Sequence, residues 1–571
     1  MKQQLEVALA SIILELYDLE IDLGLTRVDE KFGDYSSNVA MQLAKKLALP
    51  PREIATAIVA KIATDMAELV AAAEIAGPGF INLSVNDDTL VKALQTTPAQ
   101  SWAGKRVIVE YSDPNPFKPL HAGHLYTTLV GDGIARLLAS SGAEVVRINY
   151  GGDVGLHVGK TMWAVIQTLG GELPEKLSEV PTSERAHWLG AQYVNGNQAY
   201  DESETARAEI IKLNARIYEL HNADDHDTPL AQIYWTGRQW SYDYFTELYE
   251  QLRVTPFDRI IPESEIVPLG LEVVREQLDR GVYEMSDGAV VFKGEPFGLH
   301  TRVFINSKGL PTYEAKDVGL IMTKWRDYHF DRSIVITANE QQQYMAVMLA
   351  SVAQFAPEVA QKSEHLTHGM VKLKGGVKMS SRKGNVADAL EILEAAAAAN
   401  QSATGQDNPD TVLGAVKYAF LKARIGGDII YDPLESVSLE GNSGPYLQYA
   451  FARACSILSK AGYDDAALRS VFEAQAFSQL GDQFTFEPGE RTLAAKLSEY
   501  PEILVKATDE LMPHHVCTYL YELAQTFNRF YENNRVLGNE REAWRLQLVE
   551  AYAKTLRAAL TILGLPTPER M

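Results

Sequence analysis

Two histidines three residues apart, in His121-Ala122-Gly123-His124, and a cationic run, Lys378-Met379-Ser380-Ser381-Arg382, have the composition of two halves of a phosphate clamp. Imidazoles at i and i+3 share one face of a helix, and at its N-terminus they would sit with backbone N–H groups that have no intrahelical partner. That end of a helix attracts anions, and a nucleoside triphosphate is the natural occupant. Gly123 between them would let an adenine ring lie flat against the backbone. The cationic run belongs to a stretch, Leu366 to Asn385, with no acidic residue but with Lys372, Lys374, Lys378, Arg382 and Lys383. In a chain with 53 basic and 75 acidic residues such a cluster needs a reason, and a loop closing on a departing pyrophosphate supplies one. Neither stretch is specific alone, since histidine pairs often only cap helices and lysine-rich hairpins are often only solvated.

The elements around them are those of an α/β enzyme. Arg106 to Ser112 is a β-like run, and Asp113-Pro-Asn-Pro-Phe-Lys-Pro119 is a turn. Leu125, Leu129, Ile134, Leu137 and Leu138 then recur at roughly helical spacing. From about residue 101 strands and helices alternate as in a parallel sheet. A polar, helical stretch rich in Glu, Trp and Tyr, about 165–300, reads as an insertion. The second half resumes with Arg302-Val-Phe-Ile305, a helix from Tyr313 and a buried strand at Ser333–Thr337. Ligands of such sheets bind at the carboxyl ends of the strands, where both clamp stretches fall. The expected fold class is therefore α/β and multidomain. A small α+β unit covers 1–95, a Rossmann-like parallel-sheet catalytic domain 101–390, a helical connector 391–431 and an all-α domain 432–571.

Composition narrows the field. The net charge of −22 argues against a nucleic-acid partner only as a global sum, because local basic faces can coexist with an acidic remainder. Two cysteines, Cys455 and Cys517, make neither a disulfide framework nor a cysteine-based zinc site. The N-terminus lacks the pattern of a signal peptide, and no apolar run approaches 18 residues. A cytoplasmic enzyme without membrane contact is expected. Gly155-Leu-His-Val-Gly159-Lys160-Thr161 has three residues between its glycines, where a P-loop needs four, and is rejected as one.

In this context His-Ala-Gly-His resembles the HIGH signature of class I aminoacyl-tRNA synthetases, and Lys-Met-Ser-Ser-Arg resembles their KMSKS loop. Glu110-Tyr-Ser-Asp-Pro-Asn-Pro-Phe-Lys-Pro-Leu-His121 is similar to the arginyl-tRNA synthetase form, as is Val145 to Tyr150 running into Gly151-Gly-Asp-Val-Gly155. The resemblance covers nearly the whole chain. It implies an arginine–tRNA ligase acting in two steps: attack of the arginine carboxylate on the α-phosphate of ATP, then transfer of arginine to the 2′-OH of the terminal adenosine of tRNA. The implied partners are tRNA(Arg), L-arginine and ATP, with Mg2+ arriving with ATP and no dedicated protein metal site; a monomer is expected. The resemblance also implies that activation needs tRNA.

Residue by residue, His121, Gly123, His124, Met379, Ser380 and Ser381 would contact ATP, and Lys378 and Arg382 would close over pyrophosphate. The usual second lysine of the loop is Ser381 here. Lys118 is expected to replace its charge, with Lys383 as the competitor. Tyr313 and Asp317, four apart on a helix, would read the guanidinium, which favours carboxylates and planar acceptors in fork geometry. Ser112, Asn115 and Gln341 would hold the amino and carboxylate ends of arginine, and Glu110 or Glu263 could add a second charge. Tyr35 and Asn38 in the N-terminal unit, and Gln448, Asn528, Arg529, Arg535 and Met571 in the C-terminal domain, are candidate tRNA contacts. Leu520, Leu523, Ala524, Phe527 and Tyr531 form a helical stripe that reads as core. The rivals are a cysteinyl- or methionyl-type synthetase, which the missing cysteine clusters disfavour, and a tRNA-binding paralogue without chemistry, which Ser381 alone supports. A generic adenylate-forming nucleotidyltransferase would leave the helical C-terminal domain without a use.

Overall fold

The computed structural model of the chain describes residues 1–21, 23–374, 388–463 and 485–571. Its centre is a five-stranded sheet of β1 (Arg106–Glu110), β2 (Glu144–Gly151), β3 (Arg259–Pro262), β4 (Arg332–Ala338) and β5 (Ser363–His368), in spatial order β5-β4-β1-β2-β3. Every neighbouring pair is parallel. The chain order reverses between β1 and β4, and that switch point is where a doubly wound sheet opens a crevice for ligands.

Alternation along the strands decides which face each residue serves. Val107, Val109, Ile334 and Ile336 join the core beneath helix α1 (Ala122–Ser140), while Ile108, Val146, Ile148 and Val335 join a second core. That second core includes residues of α3 (Glu263–Asp279), α4 (Tyr313–Tyr328) and α5 (Gln342–Val352). Both faces of the sheet are thus covered, as parallel strands require. Gly131 on α1 lies where a Cβ would come within 2.2 Å of Tyr111, so the helix can seat this close to β1 only with glycine there.

The insertion differs from expectation. The stretch 165–300 does contain the helices Arg185–Glu202, Glu204–Asn222 and α2 (Pro229–Gln251), but it also contains β3, which pairs with β2 in the central sheet. Arg302–Ile305, expected to resume the parallel sheet, instead pairs antiparallel with Ala289–Phe292 in a separate three-stranded sheet with Glu284–Ser286. Its run of apolar residues serves either kind of sheet, and tertiary context makes the choice.

Residues 1–94 hold a four-stranded antiparallel sheet and the helices Lys2–Tyr17, Val39–Leu47, Pro51–Asp65 and Asp87–Leu94. This unit is fastened to the C-terminal helices. Arg27 donates to Glu502 at 2.9 Å and stacks on Tyr35, and Arg491 donates to Asp34 at 2.8 Å. The C-terminal helices Gly444–Lys460, Pro488–Leu497, Tyr500–Asp509, His514–Asn533 and Glu542–Ile562 bury Leu520, Leu523, Ala524 and Phe527 in a core continuous with that beneath the central sheet. Lys417, buried on the connector helix Pro409–Leu421, pairs with Asp132 of α1 at 3.9 Å and so ties that region to the histidine helix.

His365 on β5 shares a 2.7 Å hydrogen bond with Thr337 on β4, and burial lowers its imidazole to about 4. The unfolded chain, with an imidazole near 6.5, therefore binds more protons than the folded one between about pH 4 and 6.5. The stabilisation is complete above 6.5 and is lost as pH falls. His365→Gln keeps a partner for Thr337 but cannot titrate. Its loss of stability between pH 7.5 and 5, measured by denaturant unfolding, should be smaller than the parent's by about 2 kcal/mol.

Candidate active site

The turn from β1 into α1 is strained and held from three sides. Ser112, Asp113 and Phe117 adopt φ of 76°, 48° and 65°, left-handed conformations that cost energy for non-glycine residues and persist only where the surroundings fix them. The insertion helix Pro229–Gln251 supplies much of that fixing. Ser241 accepts the Phe117 N–H at 3.0 Å, Tyr234 stacks on Phe117, and the Tyr249 hydroxyl lies 2.7 Å from Ser112 Oγ. Thr128 of α1 also donates to Ser112 Oγ at 2.8 Å. Ser112 is buried, with its hydroxyl engaged by Tyr249 and Thr128, and so helps to hold the loop. Asn115 accepts the Gly152 N–H through Oδ1 at 2.8 Å, and among the described residues its amide N–H groups have no acceptor.

His121 is the N-cap of α1, and the two imidazoles cap the helix reciprocally. His121 Nδ1 accepts the Gly123 N–H at 3.1 Å, and His124 Nδ1 accepts the His121 N–H at 3.3 Å. A ring nitrogen that accepts carries no proton, so both neutral imidazoles have their proton on Nε2. The rings stack 3.8 Å apart. Burial, then the neighbouring charge of Lys118, pushes His121 down to about 4. Burial likewise holds His124 well below the usual range. At neutral pH the pair therefore presents two uncharged Nε2–H donors at a helix N-terminus. Gly123 has a second reason besides any ligand: a Cβ there would lie 2.9 Å from the His121 ring. Lys118 is half-buried, its Nζ 5.7 Å from the Tyr193 ring centroid. Lys378, Met379, Ser380, Ser381, Arg382 and Lys383 lie outside the described residues.

Across the switch point, α4 carries Tyr313 and Asp317 one turn apart and Lys324 two turns beyond Asp317, on one face. Glu110 ends β1 and Glu263 follows β3, so both stand at the carboxyl edge of the sheet. Each is already paired: Lys324 donates to Glu110 at 2.7 Å and Lys316 to Glu263 at 2.7 Å. Asp317 has neither hydrogen bond nor ion pair among the described residues. Burial, reinforced by Glu110 and Glu263, pushes its carboxyl well above the usual range. Asp113, raised mainly by burial and then by Glu110, accepts the Tyr150 N–H at 2.8 Å. The Tyr150 hydroxyl is buried beside this cluster, without a partner among the described residues. Tyr313 is 60% exposed at the mouth, and Gln341 is exposed just beyond β4. Residue type alone does not mark Lys324, Lys316 and Tyr150 in the sequence, although the i, i+7 spacing of Asp317 and Lys324 is legible there.

Two of the expected RNA contacts are buried. Tyr35 is fully enclosed and its hydroxyl donates to Glu502, and Gln448 is fully enclosed and donates to the carbonyls of Asp410 and Pro566. Both fasten parts of the protein together. Asn38, Arg529, Arg535 and Met571 are exposed, and Asn528, partly exposed, donates to the Tyr446 hydroxyl. Among the described residues no cluster of three His, Cys, Asp or Glu side chains could hold a metal, and no helix is long and apolar enough to cross a membrane.

The family described as "tRNA synthetases class I (R), catalytic domain" matches residues 87–439, which sets this sheet and its capped histidines among the class I aminoacyl-tRNA synthetases. A "DALR anticodon binding domain" matches 447–571, and an "Arginyl tRNA synthetase N terminal domain" matches 1–85. Among relatives, arginine–tRNA ligase of Chromobacterium violaceum is 32% identical, over 95% of this chain and 94% of its own length. The corresponding ligase of Synechococcus elongatus gives the same identity and coverage. The solved arginyl-tRNA synthetase of Thermus thermophilus is 27% identical with a TM-score of 0.78, each chain covered fully. The chain belongs to the arginyl-tRNA synthetase family.

Proposed function

We propose that this site catalyses arginine–tRNA ligation, with Asp317 receiving the arginine guanidinium and the histidine pair receiving the ATP phosphates. The observation that carries the reading is Asp317 itself. Among the described residues it is a carboxyl group without a hydrogen-bond or ion-pair partner, close to two carboxylates that already have theirs at the edge of the sheet that carries the anion-attracting helix N-terminus. A guanidinium is the cation whose fork suits such a group. Tyr313 flanks it from the preceding turn, and the amide donors of Asn115, with Gln341 opposite, suit the amino-acid backbone.

Attack of the arginine carboxylate on the α-phosphate then needs alignment and charge stabilisation rather than a protein nucleophile. The two Nε2–H donors and the α1 N-terminus would stabilise the phosphates. Lys118, Lys378 and Arg382 would neutralise the departing pyrophosphate, with Mg2+ arriving as part of the nucleotide substrate. The adenylate is then consumed by the 2′-OH of the terminal adenosine of tRNA(Arg), the RNA reaching Asn38 in the N-terminal unit and Asn528, Arg529, Arg535 and Met571 in the C-terminal domain. A monomeric state and a cytoplasmic setting complete the reading.

The test is amino-acid-dependent ATP–pyrophosphate exchange across a panel of amino acids, with and without tRNA(Arg). Exchange with arginine only when tRNA is present is the expected result. Exchange without tRNA would keep the ligase and remove the tRNA requirement. No exchange under any condition, with tRNA still bound, would point to a non-catalytic paralogue.

A further inference from the structure

Two ammonium groups are buried in the amino-acid pocket with no part in the reaction as written. The side chains of Lys324 and Glu110 are only 2% and 4% exposed. Burying an ammonium group is costly, and such pairs can often be replaced by apolar side chains without loss of stability, so stability alone does not account for this one. Its position offers another account. Lys324 and Asp317 project from the same face of α4, and both line a narrow cavity with Glu110, Ser333, Met345 and Met348. The Ser333 hydroxyl there is buried without a partner among the described residues. Without Lys324, Glu110 and Asp317 would face each other as like charges in a site largely closed to water, with Glu263 and Asp113 adding to the repulsion. Lys316 cannot relieve this, because it is committed to Glu263.

Resting on the reading of this site as the arginine pocket, we infer that Lys324 is a positioning residue that acts through Glu110. It fixes the direction of the Glu110 carboxylate and supplies its counter-ion, leaving Asp317 as the open anion for the guanidinium.

The experiment is a double-mutant cycle on the KM for arginine in tRNA-supported pyrophosphate exchange, using K324M, E110Q and E110Q/K324M. K324M should raise this KM at least about tenfold while kcat at saturating arginine stays within about threefold. Because Lys324 works only through Glu110, the double variant should match E110Q within about twofold. An unchanged KM in a folded K324M, or a further tenfold rise in the double variant over E110Q, overturns the inference. Should either single variant fail to fold, the uncharged double variant is compared with the parent: a KM raised at least tenfold supports the pair's role, and an unchanged KM overturns it. Absence of arginine-dependent exchange in the parent would instead overturn the functional reading and the inference with it. A parent that works beside variants that break the pattern faults the inference alone.

Discussion

Asp317→Asn should raise the KM for arginine about a thousandfold in pyrophosphate exchange while leaving the KM for ATP within about twofold. The size follows from the desolvated state of the site. Removing one partner of a buried, hydrogen-bonded charge pair costs about 3–5 kcal/mol, because the remaining charge keeps its burial and loses its compensation. About 4 kcal/mol is close to three decades in affinity. No neighbour can substitute, since Glu110 and Glu263 are held by Lys324 and Lys316 at 2.7 Å each. The variant should also lose a pH dependence. In the parent, burial and the two glutamates raise the Asp317 carboxyl, so a proton competes with arginine for it. Arginine should therefore bind more tightly as pH rises through that raised range, and D317N should flatten the trend. A thousandfold loss that falls on ATP instead of arginine would remove Asp317 from the amino-acid pocket.

How far such a site can be read from sequence depends on whether its signals are local. The histidine helix is local: a turn-rich link, two imidazoles at i and i+3, and a leucine stripe at helical spacing all belong to one segment, and the structure caps α1 at His121. The Tyr313/Asp317 spacing is local in the same way. Strand β3 is not, because Arg259–Pro262 is four residues long and owes its place to pairing with β2 across the insertion. Arg302–Ile305 carries a strand pattern that fits parallel and antiparallel partners equally well. Residue type also says little about burial. Tyr35 reads as a polar aromatic suited to RNA, but its hydroxyl bonds to Glu502 from the far end of the chain. Gln448 is enclosed for a comparable reason, spanning the carbonyls of Asp410 and Pro566. The two lysine counter-ions escape notice because a lysine beside an acidic pocket looks like surface until its depth is known.

A pair of substitutions at His124 separates its two duties. Its Nδ1 caps the helix by accepting the His121 N–H at 3.3 Å, and its Nε2–H is left to face a phosphate. Asparagine reaches about as far as Nδ1 and glutamine about as far as Nε2. His124→Asn should therefore keep a capping acceptor and lose the distal donor, while His124→Gln should keep a distal donor together with the amide oxygen that commonly caps from this position. Loss of one pre-organised donor to developing transition-state charge costs about 10²–10³ in kcat. H124N is expected to fall by that factor in pyrophosphate exchange at saturating ATP, with its unfolding temperature near the parent's. H124Q should retain activity within about tenfold and also unfold near the parent, since glutamine at this position commonly completes the reciprocal cap. Because burial holds both imidazoles far below neutrality, neither variant should alter the pH–rate profile between about 6 and 8. If the histidines instead acted as cations, the parent's activity would fall as pH rose through that window and H124N would abolish the fall. The opposite ranking, with H124N active and H124Q inactive, would make His124 a structural cap and leave phosphate recognition to Lys118 and His121.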